Sequence, residues 1–371
     1  MFDPMIERAN PKGKRASFLF GGIGDSRHML RTIIEIAKHE GASKKLYHFT
    51  VNDINNYAIT RDLIIWMLIR DLSETTEDSD EAALIANTLV FVYFGTMIPG
   101  RAFERLHQTI DEAFSALKAG KQPLKWAHLY KKDVPAYLRV LKMWKGRALK
   151  IYTNSEVIDR VTEDMKTRRG ADPDFVYQVP LACKKEKLLY IHAAVFYPSP
   201  RFLELFDPEM QVLLEKFSGK PKANAERFKD HLRKHWRVNT TLISPDWWDE
   251  LDNKAEYDFS HDPFEAIDSF KRPSMETFLL SLLDQSTETP TETSFYEFLA
   301  PFFANVADAI KVLQGRIQVE VLHDEFVDIC EEIRFGVYPK EHGRRTKAAD
   351  VELRPKNFPV TFDRIHMSNV P

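Results

Sequence analysis

Along the chain the spacing of apolar residues changes character twice. Ala16–Phe20 is a short apolar run bounded by basic residues and glycines, the pattern of a buried strand. Asp25 or Ser26 can cap the segment that follows. There Met29, Leu30, Ile33, Ile34 and Ala37 recur at helical spacing, and Lys38, His39 and Gly41 close the helix. Leu46–Asp53 (LYHFTVND) predicts a second strand that ends on an acid, and Ala58–Arg70 (AITRDLIIWMLIR) a second, apolar helix. Two β-α units with short connections imply a parallel sheet with right-handed crossovers.

From about residue 71 to 312 the alternation gives way to helical periodicity. The acidic loop Ser73–Ala83 leads into an apolar helix over 82–97, too short and too polar at Asn87 and Thr88 to span a bilayer. Ala102–Ala119 puts Phe103, Leu106, Ile110, Phe114 and Leu117 on one side. Pro135–Trp144, Ser155–Arg168, Met210–Phe217 and Ala225–Trp236 also read as helices. Val176–Pro180 and Leu188–Phe196 are rich in β-branched and aromatic residues, and periodicity leaves strand or apolar connection open there. Trp247-Trp248 reads as a helix start with packed aromatics, or as a recognition anchor. A polar loop, Ser286–Thr293, precedes a helix over Ser294–Leu313.

The α/β pattern then returns. Ile317–Leu322 predicts a strand, Asp324 follows it, and Glu325–Arg334 is helical; Phe362–Met367 predicts a last strand, with Ser368 to Pro371 behind it. The expected architecture is α/β: a Rossmann-like parallel sheet interrupted by a large, mostly helical insertion. Its first half covers residues 1–72, the insertion 73–312 and its second part 313–371. A sheet ending on this fourth strand would leave a long unpaired edge, which proteins normally avoid. The expectation is therefore that the sheet is truncated after its fourth strand, and that a missing C-terminal segment or a partner chain covers the edge.

Composition narrows the function classes. A net charge of -3 supplies no excess of cations to displace counterions from phosphates, which argues against nucleic acid. Twenty prolines against fourteen glycines suggest ordered connections. The N-terminus carries no apolar core of a signal peptide. With only Cys183 and Cys330, no disulfide framework and no all-cysteine zinc site can form within the chain. A reducing, cytoplasmic location and no membrane contact are the expectation.

The candidate chemistry begins at Gly21-Gly22-Ile23-Gly24-Asp25. Glycines directly after a parallel strand let the backbone turn sharply and approach a ligand, and the next helix points free N–H groups into the same crevice. Gly22 and Gly24 occupy the first two positions of a dinucleotide fingerprint, but Arg27 stands at the third, and no Walker lysine is present. S-adenosylmethionine carries no phosphate and calls for a close backbone and carboxylates, one of which is Asp25. A plain βα turn without a ligand is the alternative. Asp53, about thirty residues on, can accept both ribose hydroxyls at the end of the second strand, or cap the next helix. Asp324, Ser368 and Asn369 follow the third and fourth strands, so all these residues are expected at the carboxyl edge of one sheet. The alternative readings are a helix N-terminal charge for Asp324 and a turn residue for Asn369.

His231 and His235 lie four apart in a basic amphipathic segment, ERFKDHLRKHWR. No glutamate follows His231 and no third ligand is evident in the residue order, so a solvated helix face is preferred to a metal site. The basic loop His342–Lys347 could grip an anion but reads as exposed.

At LFGGIGDSRHMLRTI, FTVNDINNYAITRDLIIWML and FDRIHMSNVP the chain resembles a domain of unknown function. That domain is shared by fungal proteins, some with MYND fingers, and by axonemal dynein assembly factor 3. The family's Gly-x-Gly-Asp-x-Arg-His segment is Gly22 to His28 here, and its acid matches Asp53. The resemblance covers roughly the first hundred and last sixty residues. That family is similar to class I S-adenosylmethionine-dependent methyltransferases. The resemblance implies that Gly22, Gly24 and Asp25 contact the methionine end, Asp53 the ribose and Asp324 the adenine edge, with Arg27, His28 and Ser368 also among the cofactor-binding residues. It places Ser368 and Asn369 at the acceptor position, with Asn369 the candidate catalytic residue. The tyrosine of the acceptor motif is missing from these residues. Two functions follow as expectations: S-adenosylmethionine binding with methyl transfer to an unknown acceptor, or a non-catalytic assembly protein that kept the fold. In either, the helical insertion is the expected surface for a protein partner.

Overall fold

A computed structural model describes residues 14–39, 45–172, 183–217, 221–249, 253–257, 262–266, 294–339 and 351–368. The chain opens with β1 (Arg15–Gly21), α1 (Arg27–His39), β2 (Leu46–Asp53) and α2 (Asn56–Glu74). A helical body follows: α3 (Asp80–Phe94), β3 (Met97–Pro99), α4 (Gly100–Lys118), β4 (Ala127–Leu129), α5 (Val134–Lys142) and α6 (Asn154–Ala171). It continues through α7 (Lys184–Ala193), α8 (Pro200–Phe206), α9 (Pro208–Phe217), α10 (Pro221–His235), β5 (Trp236–Val238), β6 (Ile243–Asp249), β7 (Lys254–Tyr257) and α11 (Phe295–Val312). The chain returns to the sheet with β8 (Ile317–His323), α12 (Phe326–Phe335), β9 (Val337–Pro339), β10 (Val351–Leu353) and β11 (Arg364–Met367).

Five strands form one parallel sheet in the order β11-β1-β2-β8-β4. The register sets Leu19 beside Ile365 on one side and Thr50 on the other; Thr50 pairs with Glu320, and Glu320 with His128. From β1 the chain steps to β2 on one side, and only at its end places β11 on the other. The strand order therefore reverses between β1 and β11. In open α/β sheets such a reversal leaves a crevice beyond the carboxyl ends of the two strands.

The two faces of the sheet differ in chemistry. Phe18, Phe20, Tyr47, Phe49, Val51, Val319 and Val321 join one apolar core that extends through Trp66 of α2 to Phe91 of α3 and Trp236. Phe18 stacks on Phe49 with ring centroids 5.0 Å apart. α2 is buried at nearly every position from Ile59 to Ile69, which explains its apolar run Leu63–Ile69: it lies between the sheet and other helices. The opposite face carries His48, Thr50 and Glu320, all buried. Arg354 and Phe358 cover it. Arg354 donates to both oxygens of Glu320 (2.7 and 2.6 Å), and Phe358 lies against His48 and His128.

Several expectations are corrected. The helical stretch contains a sheet strand, β4, which three residues could not announce by periodicity; its pairing with β8 defines it. Trp247-Trp248 lies on β6, paired antiparallel with β7, rather than at a helix start. There the cross-strand partner, not local pattern, selects the backbone. Leu188–Phe196 is mostly helix, its first six residues lying within α7 (Lys184–Ala193); Ala194, at φ 60°, ends it. The apolar helix over 82–97 stops at Phe94, where a Cβ on Gly95 would lie 2.9 Å from the Phe91 and Met97 carbonyls. The sheet edges are short, four residues in β11 and three in β4, instead of one long edge. Val176–Pro180, the whole basic loop His342–Lys347 and Asn369 lie outside the described residues. Among the described residues no helix is long and apolar enough to cross a membrane.

Candidate functional site

The turn after β1 alternates its backbone hand. Gly22, Gly24 and Ser26 have φ of 65°, 60° and 59°. Glycine enters that region without steric cost; serine does not, and must be held there. Ser26 is fully buried. Its N–H donates to the Ile23 carbonyl (3.2 Å), its carbonyl accepts from Leu30 (2.9 Å), and its hydroxyl accepts from Trp66 Nε1 (3.2 Å).

The turn is also tied to the neighbouring elements. Ile23 N–H donates to the Asn52 carbonyl at the end of β2 (2.9 Å). Gly24 N–H donates to Asp53 Oδ2 (2.9 Å), and Asn55 N–H to Asp53 Oδ1 (2.9 Å). Tyr93 of α3 donates its hydroxyl to the Asp25 carbonyl (2.7 Å). Asp25 accepts from the backbone N–H and from Nε of Arg27, at 3.3 and 2.9 Å.

Around this turn lies a cleft of about 290 Å³ lined by Gly22, Ile23, Gly24, Asp25, Arg27, His28, Tyr57, Ala58, Arg61 and Ser368. It occupies the strand-order reversal between β1 and β11. Six residues singled out from sequence, Gly22, Gly24, Asp25, Arg27, His28 and Ser368, line it, and Asp53 braces it through Gly24. Asp324 follows β8, two strands from β1, and does not line the cleft. Its carbonyl accepts from Asn52 (2.9 Å), and its carboxylate accepts from Glu325 N–H (3.0 Å) and lies 3.7 Å from Lys132 Nζ. Its geometry is that of a turn acceptor and an ion pair just before the helix start.

Sequence reasoning missed Tyr57, Ala58 and Arg61. Their spacing on the first turns of α2, directly after Asp53, was the available signal, since a helix following that strand faces the same crevice. Arg61 donates from Nη2 to the Val92 and Tyr93 carbonyls (2.9 and 2.8 Å) and lies over the Tyr93 ring. These contacts hold its charge at the cleft wall.

Asp62, one residue further, is 1% exposed, and neither carboxylate oxygen accepts a hydrogen bond within ordinary limits. Burial pushes its pKa well above the usual 3.8, the Ser26 hydroxyl and Arg61 oppose this, and the charges of Asp25 and Asp53 reinforce it. A carboxyl whose folded-state pKa is raised binds its proton more tightly when folded. Its stability contribution is therefore complete at low pH and lost as pH rises from about 3.8 through the folded-state value. Asp62→Asn has no charge to bury. It is expected to raise the Tm at pH 8 by at least about 2 °C, with the gain shrinking toward pH 4, in melts across that range. A gain independent of pH would assign the effect to packing instead.

No curated protein and no solved structure matches the chain. Residues 3–93, which include β1, the glycine turn, β2, α2 and most of α3, match a family model described as a domain of unknown function (DUF4470).

Proposed function

We propose that the cleft at the strand-order reversal binds S-adenosylmethionine, and that the chain is a Rossmann-like, class I methyltransferase-like domain. The observation that carries this reading is the use of the turn's N–H groups. Gly24 donates to Asp53 and Arg27 to Asp25, so both are already committed to carboxylates of the chain. A phosphate would need such donors free. A ligand with hydroxyls and a cationic end needs the carboxylates, and a carboxylate has about four acceptor positions, so Asp53 can serve Gly24, Asn55 and a sugar hydroxyl together.

The lining residues suit the rest of that ligand. Gly22 and Gly24 keep the wall free of side chains, and a Cβ built on Gly24 would meet nothing within 4 Å. Arg61 supplies positive charge for a carboxylate, and Asp25 negative charge for an ammonium group. Bound there, the cofactor would offer an electrophilic methyl group. The chain's own part is to hold donor and acceptor in line, which converts a bimolecular encounter into a positioned one.

The test is isothermal calorimetry with S-adenosylmethionine and S-adenosylhomocysteine, paired with thermal-shift melts. Saturable heat and a raised Tm with both are expected. No heat and no shift with either would remove the proposal. It would leave the second reading, a non-catalytic assembly protein retaining the fold. That reading is favoured by Ile365 and Met367, which remain 59% and 50% exposed on the edge strand β11.

A further inference from the structure

A second constellation lies on the helical body, where α9 meets α10. Asp207, immediately before α9, accepts from Met210 N–H (3.1 Å) and from Trp236 Nε1 (3.2 Å). His231 Nε2 stands 3.0 Å from one of its oxygens and 3.1 Å from the other. This carboxylate holds the Nε2–H tautomer, which leaves the lone pair on Nδ1. The His231 side chain is 3% exposed, and Nδ1 is buried with no hydrogen-bond partner. A buried acceptor without a donor costs free energy, so an arrangement that maintains one points to a missing partner.

Two further groups able to ligate a metal ion stand beside that nitrogen. Glu209 Oε2 on α9 is 3.7 Å away, and the His235 ring, one helical turn along α10, lies 4.6 Å from the His231 ring between centroids. The ligating atoms of Glu209, His231 and His235 all fall within 4.8 Å of one another. A tetrahedral zinc ion with bonds of about 2.0–2.1 Å holds its ligand atoms about 3.3 Å apart. Glu209 and His235 are exposed, so rotation of their side chains can close the remaining distance.

We propose that Glu209, His231 through Nδ1 and His235 bind zinc, with a water completing the tetrahedron and Asp207 orienting His231. Two imidazoles and a carboxylate are a donor set suited to zinc, and a carboxylate on the far ring nitrogen of a ligating histidine is its usual support. The ion would satisfy the buried Nδ1 and clip α9 to α10. The site is separate from the glycine cleft and does not depend on how that cleft is used.

The test uses the full, tag-free chain stripped with chelator and titrated with zinc chloride against a chromophoric competitor. One equivalent per chain is expected. His235→Ala and Glu209→Gln, both at exposed positions, are each expected to weaken binding at least tenfold while leaving the circular dichroism unchanged. Cobalt(II) is expected to give the intense visible absorption of a tetrahedral site, lost in His235→Ala. Absence of stoichiometric zinc binding, or wild-type affinity in both variants, would overturn the proposal.

Discussion

Glu320→Ala is expected to lower folding stability by about 3–5 kcal/mol, read from urea unfolding at pH 7. Glu320 is fully buried and takes four partners: Arg354 in the two-bond arrangement, Tyr130 Oη (2.6 Å), Thr50 Oγ1 (2.9 Å) and His48 Nε2 (3.4 Å). Removing it leaves the buried guanidinium of Arg354 without its counter-charge, and that loss, rather than the pair's net contribution, sets the size of the effect. Glu320→Gln keeps shape and part of the bonding and should cost less. Burial alone would raise the Glu320 pKa, but the bonds from His48, Arg354 and Tyr130 outweigh it and hold the group at about 2, below its ordinary 4.5. A depressed carboxyl contributes stability that is present above its unfolded value and lost as pH falls through the folded one. The wild type should therefore lose stability between about pH 4.5 and 2, and the variants should lose less over that interval. An unchanged acid transition in Glu320→Ala would place the titrating group elsewhere.

Asp53→Ala should weaken S-adenosylmethionine binding at least about tenfold, on the order of 1.4 kcal/mol. The loss has two sources in the proposed complex: a hydroxyl acceptor disappears, and Gly24 loses the carboxylate that shapes the turn. Asp53→Asn separates them, since an amide oxygen can still brace one N–H while the negative charge is gone. Calorimetry on both variants, with melts to confirm folding, gives the measurement. Wild-type affinity in Asp53→Ala would detach Asp53 from the ligand.

Much of the sheet was legible because β1 reads as a short apolar run, while β2 and β8 set apolar, β-branched and aromatic residues at alternate positions. β2 matches its expected bounds, Leu46–Asp53, and β1 and β8 extend theirs by one residue at most at either end. The glycine turn was legible for a local reason too: a left-handed backbone favours glycine, and Gly22 and Gly24 stand at two of its three such positions. β4 was not legible, since three residues carry no period, and the hairpin at Trp247-Trp248 depends on a partner strand. The sequence also understated the sheet's second face. His48, Thr50 and Glu320 look like solvent-facing positions until Arg354 and Phe358, more than thirty residues beyond Glu320, fold over them.

The two candidate sites divide along the same line. Local order alone set the turn from Gly22 to His28 and the acid closing β2, because backbone hand and strand termini are properties of a few adjacent residues. The tertiary structure decided the rest. It brought Arg61, Tyr57 and Ser368 to the turn, turned Asp324 toward Lys132 instead of the cleft, and set Glu209 beside His231 and His235. Side chains far apart in the chain meet only when burial of the shared core fixes which helices and strands are neighbours, and no spacing along a sequence encodes that distance.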